Sequence, residues 1–234
     1  MSDKSNHKSP YDSEPFVFPA WATAVMRASA PAAILGGCAV IFAVWYWFSP
    51  KFTDAGYQPT QPVPYSHKLH AGDLGIDCRY CHIGVETTAH AQVPPTQVCM
   101  NCHSQVKGAS YNEETKVNPK LAPIMASWEE DLPVPWVRIH KIPDYAFFDH
   151  SRHVNKGVGC VSCHGRIDQM VVVHQEKPLS MGWCLECHRA PEEFLRPLDK
   201  ITKMDYAGGD GFDPVAFKAS HNIQPPEDCS GCHR

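Results

Sequence analysis

Ten of the eleven cysteines in this 234-residue chain form five pairs with two residues between the partners, and a histidine directly follows every pair. The paired cysteines are Cys78 and Cys81, Cys99 and Cys102, Cys160 and Cys163, Cys184 and Cys187, and Cys229 and Cys232. The histidines that follow are His82, His103, His164, His188 and His233. The C-x-x-C-H pattern is typical of covalent haem attachment. It predicts five haem c groups, with the cysteines as thioether positions and these histidines as proximal iron ligands.

Zinc ribbons and redox disulfides also contain C-x-x-C pairs. A zinc ribbon does not require histidine directly after the second cysteine, and a thioredoxin-like motif is expected once beside a βαβ pattern. Histidine accounts for 14 of the 234 residues. Five independent pairs would all be followed by histidine roughly once in a million cases, so haem is the favoured interpretation.

A second pattern supplies candidates for the distal iron ligands. An H-x-x-H pair begins eleven residues before Cys78 and another begins ten residues before Cys160. The chain therefore contains two related copies, residues 64–103 and 147–188, each with one such pair and two haem motifs. Side chains three residues apart lie on one side of a short helix and can reach two neighbouring haems. The predicted distal ligands are His67, His70, His150 and His153.

The fifth distal ligand is not fixed by the duplication. We favour His140, which lies just upstream of the second copy. The alternatives are Met181, His90 and His221, the last at the end of a stretch (217–221) that resembles the start of each copy. Methionine ligation would raise the potential of that haem above the potentials of its bis-histidine neighbours.

Residues 28–48 contain no charged side chain. A helix of this length spans about 31 Å, enough to cross a bilayer core. Aromatic residues at 45–48 suit a membrane interface, and Pro31 is expected in the first helical turn. We predict a transmembrane helix at 28–49.

Two arguments orient the chain in the membrane. Lys4, Lys8 and Arg27 precede the apolar segment, whereas only Lys51 lies close behind it. This bias favours a cytoplasmic N-terminal segment, residues 1–27. Covalent haem attachment takes place outside the bacterial cytoplasmic membrane. We therefore expect a single-pass protein of that membrane with a periplasmic haem domain at 50–234.

The composition limits both fold and partners. The chain has 21 prolines, with proline-rich stretches at 58–64, 94–95, 133–135 and 225–226. Proline interrupts helices, so the outer domain is predicted to be mostly irregular, with short α-helices around haems that serve as its core. The net charge of −4 and the lack of a basic run argue against nucleic-acid binding.

The motifs resemble class III multihaem cytochromes, and more closely the pentahaem cytochrome subunit of bacterial alternative complex III, a quinol:acceptor oxidoreductase. The resemblance is carried by residues 64–82, 98–103, 136–165 and 178–189. It implies an iron–sulfur subunit related to molybdopterin enzymes, polytopic quinone-binding subunits, another cytochrome c and a soluble acceptor as partners. His174 and His221 fall where the resemblance does not place ligands.

The expected role is an electron relay, from a quinol-oxidising membrane complex to a periplasmic acceptor or oxidase, rather than catalysis by the chain alone. The alternative is a stand-alone, membrane-anchored multihaem quinol dehydrogenase. A catalytic multihaem reductase is disfavoured because no C-x-x-C-K motif occurs.

Overall fold

The structure is a computed structural model that describes residues 16–116, 118–209 and 211–233. The chain divides into two units, between Ser49 and Pro50. The described part of the first unit consists mainly of one helix, α1 (Ala20–Trp47), which follows Pro19. By length and composition α1 is able to cross a membrane.

Helix α1 begins earlier than the predicted span. The apolar residues before Arg27 continue the helix back to Ala20, so Arg27 lies within it. Pro31 therefore lies inside the helix and not in its first turn. A helix of 28 residues is about 42 Å long, which exceeds the hydrocarbon thickness of about 30 Å.

The second unit is built from short helices joined by irregular chain. Its α-helices are α2 (Pro50–Thr53), α3 (Cys78–Cys81), α4 (Thr96–His103), α5 (Ala122–Glu130), α6 (His150–Val154), α7 (Cys160–His164), α8 (Met181–Arg189), α9 (Pro214–Ser220) and α10 (Cys229–Cys232). A π-helix covers Lys68–Asp73, and 3₁₀ turns cover Ile167–Gln169, Pro191–Phe194 and Leu198–Lys200. No strand occurs in the described ranges, only two isolated bridges. The predicted mostly irregular, short-helical fold is confirmed.

Each C-x-x-C pair lies on one of the short helices, α3, α4, α7, α8 or α10. Three of these helices have a polar side chain at their N-cap: Asp77 for α3, Ser180 for α8 and Asp228 for α10. Each cap oxygen accepts a hydrogen bond from a backbone N–H in the first turn. Such caps stabilise helices that are too short to persist alone.

The second unit has few buried apolar side chains of its own. Those buried in the described residues are Val63, Ile124, Val154, Met170, Leu195, Ile201, Met204 and Ile223. A domain of this size normally needs a larger apolar interior to offset its conformational entropy. Groups other than side chains must therefore fill the interior.

Backbone contacts join segments of the second unit that are distant in sequence. The Phe147 N–H donates to the Cys232 carbonyl at 2.7 Å, and Ala146 bridges to His233, so the last haem motif is fixed to the start of the second copy. The π-helix of the first copy packs against the 3₁₀ turn Ile167–Gln169 of the second copy. The two copies are thus parts of one packed body.

Candidate haem sites

The structure brings each H-x-x-H histidine close to one motif histidine. The first histidine of a pair faces the first motif of its copy, and the second histidine faces the second motif. The ring centroids are separated by 6.5 Å for His67 and His82, 6.2 Å for His70 and His103, 6.4 Å for His150 and His164, and 6.2 Å for His153 and His188.

These separations fit an iron between the two rings. A metal–imidazole bond is about 2 Å long and the bonding nitrogen lies about 1.15 Å from the ring centre, so two rings on one metal have centroids about 6.3 Å apart. All four distances fall within a few tenths of an ångström of that value. The pairs also need no further protein ligand, because a porphyrin supplies the other four nitrogens.

The backbone holds most of these rings through Nδ1, which leaves Nε2 for the iron. The Nδ1–carbonyl contacts are His82 to Gln92 (2.7 Å), His103 to Val106 (2.9 Å), His188 to Pro226 (2.6 Å), His233 to Tyr145 (3.2 Å), His70 to Ser66 (2.9 Å), His153 to Asp149 (2.8 Å) and His150 to Ala89 (2.8 Å). The second ring nitrogen of a metal-binding histidine is commonly fixed in this way. Nδ1 of His67 is buried without such a partner.

His164 differs from the other motif histidines. Its Nδ1 lies 3.3 Å from Nε2 of His140, and the two ring centroids are 4.4 Å apart. This separation is too short to accommodate an iron between the rings. His140, the distal ligand favoured from the sequence, thus lies on the Nδ1 side of the His164 ring, and its ligation of an iron stays a prediction.

Burial keeps several of these imidazoles neutral. It lowers the pKa of His67 to about 4 and the pKa of His164 to about 3, with smaller contributions from neighbouring histidines. Burial also lowers the pKa of His140 to about 4. Neutral imidazole is the form that binds iron, so His67 and His164 are prepared for ligation.

The cysteine side chains of different motifs lie near one another in a defined order. Cys78 and Cys160 lie close enough for each to shift the pKa of the other, lowering that of Cys78 and raising that of Cys160, so the first motif adjoins the third. Burial and the thiol of Cys99 raise the pKa of Cys81, so the second motif adjoins the first.

The pKa shifts of the remaining thiols indicate which motifs lie next to one another toward the C-terminus. Burial, followed by the thiols of Cys187 and Cys184, raises the pKa of Cys163, so the fourth motif adjoins the third. Burial and the thiol of Cys232 raise the pKa of Cys184, so the fifth motif adjoins the fourth. These neighbours favour the spatial order two, one, three, four, five for the motifs.

The remaining candidates for the fifth distal position differ in their surroundings. His90 is exposed and Met181 is 63% exposed. The His221 ring stacks on Phe217 with a centroid distance of 3.9 Å, and its Nδ1 contacts the Phe217 carbonyl at 3.0 Å. His174 instead contacts the carboxylate of Glu176 at 3.3 Å.

His221 shares its local geometry with two of the paired histidines. His70 and His153 also bond through Nδ1 to the carbonyl four residues earlier. Their rings also stack on an aromatic side chain, Tyr65 at 4.5 Å and Phe148 at 4.5 Å, respectively. In all three cases the contacts fix the ring with Nε2 free.

Two comparisons with known proteins agree with this geometry. Residues 146–234 match the family described as cytochrome c7 and related cytochrome c. The chain is also 34% identical, over 128 residues, to the menaquinone reductase multiheme cytochrome c subunit of Nitratidesulfovibrio vulgaris. That alignment covers 55% of this chain and 56% of the relative, so the chain spans about half the length of the curated relative it matches. The chain is accordingly similar over residues 146–234 to cytochrome c7, and over about half its length to a multiheme cytochrome c subunit.

Proposed function

We propose that the chain carries electrons through five haem c groups and performs no bond chemistry of its own. The observation that carries this proposal is the set of four imidazole pairs with centroids 6.2–6.5 Å apart. Haem supplies an iron that accepts and releases one electron when bound. Where protein nitrogen fills both axial positions, no position is open for a small molecule, so such haems act as relays.

The proposed ligands follow from the geometry. The motif histidines are the proximal ligands, and His67, His70, His150 and His153 are the distal ligands of the first four haems. For the fifth haem, held by His233, we propose His221 as the distal ligand. Support comes from the contacts of His221, which match those of His70 and His153.

We propose that electrons pass along the haems in the spatial order of their motifs. The closeness of Cys78 and Cys160 supports a direct step from the first haem to the third. The second and fifth haems are then the two ends of the array, where donor and acceptor exchange electrons with it. The protein contributes the spacing of the haems and the hydrogen bonds that tune their potentials.

The surrounding complex is also a proposal. The relative is named as a subunit of a menaquinone reductase, and the sequence motifs resemble the alternative complex III subunit. Both favour a membrane complex that exchanges electrons with a quinone, with iron–sulfur, polytopic and cytochrome subunits as partners. Helix α1 serves as the single membrane anchor, with residues 1–27 cytoplasmic and residues 50–234 periplasmic.

A stand-alone quinol dehydrogenase is the second candidate, because α1 would by itself hold the haem domain at the membrane. The two functions differ in what the isolated chain does. A relay subunit accepts electrons from dithionite but not from a menaquinol analogue in the absence of its partners. Fast haem reduction by the quinol analogue alone would favour the dehydrogenase.

The test of the relay uses the full chain, produced with a haem-attachment system. Intact-mass spectrometry should find five haem additions, and the reduced protein should form no carbon monoxide adduct. The variant His221→Ala should convert one haem to a high-spin, carbon monoxide-binding form. His174→Ala is the matched control and should leave all haems low-spin. Fewer than five additions, or an adduct in the unaltered protein, would contradict the proposal.

A further inference from the structure

We propose that His140 is a positioning residue for the third haem: it accepts a hydrogen bond from the proximal ligand His164 and thereby lowers the potential of that haem. The inference rests on the proposed function, since it requires a haem on His164. It assigns to His140 a role that differs from iron ligation.

His164 is the exception among the proximal ligands. The Nδ1 atoms of His82, His103, His188 and His233 contact backbone carbonyl oxygens at 2.6–3.2 Å. Nδ1 of His164 instead contacts a side-chain nitrogen, Nε2 of His140, at 3.3 Å, with the two rings inclined at 77°. The third haem therefore has a proximal partner of different chemistry from the other four.

The direction of the hydrogen bond follows from iron binding. When Nε2 of His164 binds iron, the single proton of the neutral ring is on Nδ1, so His164 donates. Nε2 of His140 must then accept, and the proton of the His140 ring lies on its Nδ1. His140 is partly buried, so water competes weakly for this bond.

The acceptor determines how much electron density the proximal ligand gives to iron. An imidazole nitrogen is a far stronger base than an amide oxygen, so it draws the Nδ1 proton of His164 more strongly. The His164 ring becomes more anionic and stabilises the oxidised iron more than a ring bonded to a carbonyl. The midpoint potential of the third haem is therefore lower than it would be with the carbonyl acceptor of the other four.

The position of this haem makes the tuning relevant to function. The third motif adjoins the first through Cys160 and the fourth through Cys163. Every electron that crosses between the two copies passes this haem in the proposed order. His140 thus acts at the centre of the array and not at an end.

The experiment compares the full-length chain with His140→Phe, which keeps ring bulk but removes the acceptor. We expect five low-spin haems in both proteins by electron paramagnetic resonance. In a spectroelectrochemical titration, one midpoint of the variant should move to a more positive potential while four stay in place. His140→Gln places an amide oxygen near the position of Nε2 and should give a smaller shift of the same sign. It also preserves the test if the Phe variant does not fold.

The outcomes separate this inference from the proposed function. A high-spin haem in His140→Phe would identify His140 as an iron ligand and overturn the inference, as would unchanged midpoints or a shift to more negative potential. Fewer than five low-spin haems in the unaltered chain would instead contradict the proposed function.

Discussion

The two copies, residues 64–103 and 147–188, pair their histidines in the same way although their helices differ. In the first copy the H-x-x-H histidines lie at the start of a π-helix, Lys68–Asp73, and in the second they lie on the α-helix α6. The first cysteine follows the first histidine of the pair by eleven residues in the first copy and by ten in the second. A π-helix accommodates one additional residue in a helical turn. The comparison indicates that the π-helix of the first copy accommodates the extra residue, so that the H-x-x-H histidines face the motif histidines in the same way in both copies.

The copies also differ in where their supporting contacts come from. In the first copy, His82 and His103 bond to carbonyls of nearby residues, Gln92 and Val106. In the second copy the partners of His150 and His188 are distant in sequence, Ala89 and Pro226. The second copy therefore depends on the first copy and on the C-terminal segment for the orientation of its ligands.

The largest expected effect comes from removing one proposed distal ligand, in a separate variant for each copy. His67→Ala should free the iron bound by His82, and His150→Ala should free the iron bound by His164. Each variant should bind carbon monoxide at about one fifth of its haems, because each histidine serves one iron. Absorption difference spectra of the reduced proteins measure the adduct. Two altered haems in either variant would contradict the one-to-one pairing.

A smaller effect is expected from substitution at the N-cap of the helix that carries the first C-x-x-C pair of each copy. This position is Asp77 in the first copy and Gly159 in the second. In the second copy the side chain of Arg196 lies where a Cβ of residue 159 would be, and Arg196 is buried and donates to the Lys203 carbonyl at 2.9 Å. Gly159→Ala should therefore destabilise the domain by roughly 1–3 kcal/mol through overpacking. Denaturant unfolding measures the loss. Ser162→Ala on the same helix should change stability by less than about 0.5 kcal/mol, and an equal effect of both would contradict the prediction.

The smallest effect is expected from Asp77→Asn in the first copy. Hydrogen bonds from Arg79 lower the pKa of Asp77 from its usual 3.8 to about 2. Because the pKa of Asp77 is lower in the folded state than in the unfolded state, its carboxylate stabilises the fold above about pH 4. This stabilisation is lost as the pH falls toward about 2. Asp77 is partly exposed, so the variant should lose less than about 1 kcal/mol at neutral pH.

Unfolding of Asp77→Asn and the unaltered chain at several pH values measures this effect. The stability difference should shrink as the pH falls from 4 toward 2. Thr202→Val removes another donor to Asp77, at 2.9 Å, and should show a smaller loss of the same sign. A difference that does not vary with pH would contradict the assignment.

The features that could be predicted from the sequence are those encoded by local residue patterns. The C-x-x-C-H helices and the two histidine pairs are encoded within short repeated segments, so their geometry follows from spacing. Phe217 precedes His221 by four residues, close to the five-residue spacing of Tyr65 before His70, and this similarity is visible in the sequence. The contacts of His140 and His188 join segments distant in the chain, and no local pattern encodes them.

The closeness of Cys78 and Cys160 has a consequence for how damage would spread along the proposed array. A linear array behaves as conductors in series, so its throughput is limited by its slowest hop and no parallel route bypasses a break. In the proposed order of five haems, a lesion at this junction would leave two haems on one side and three on the other, each group still reducible but unable to exchange electrons with the other.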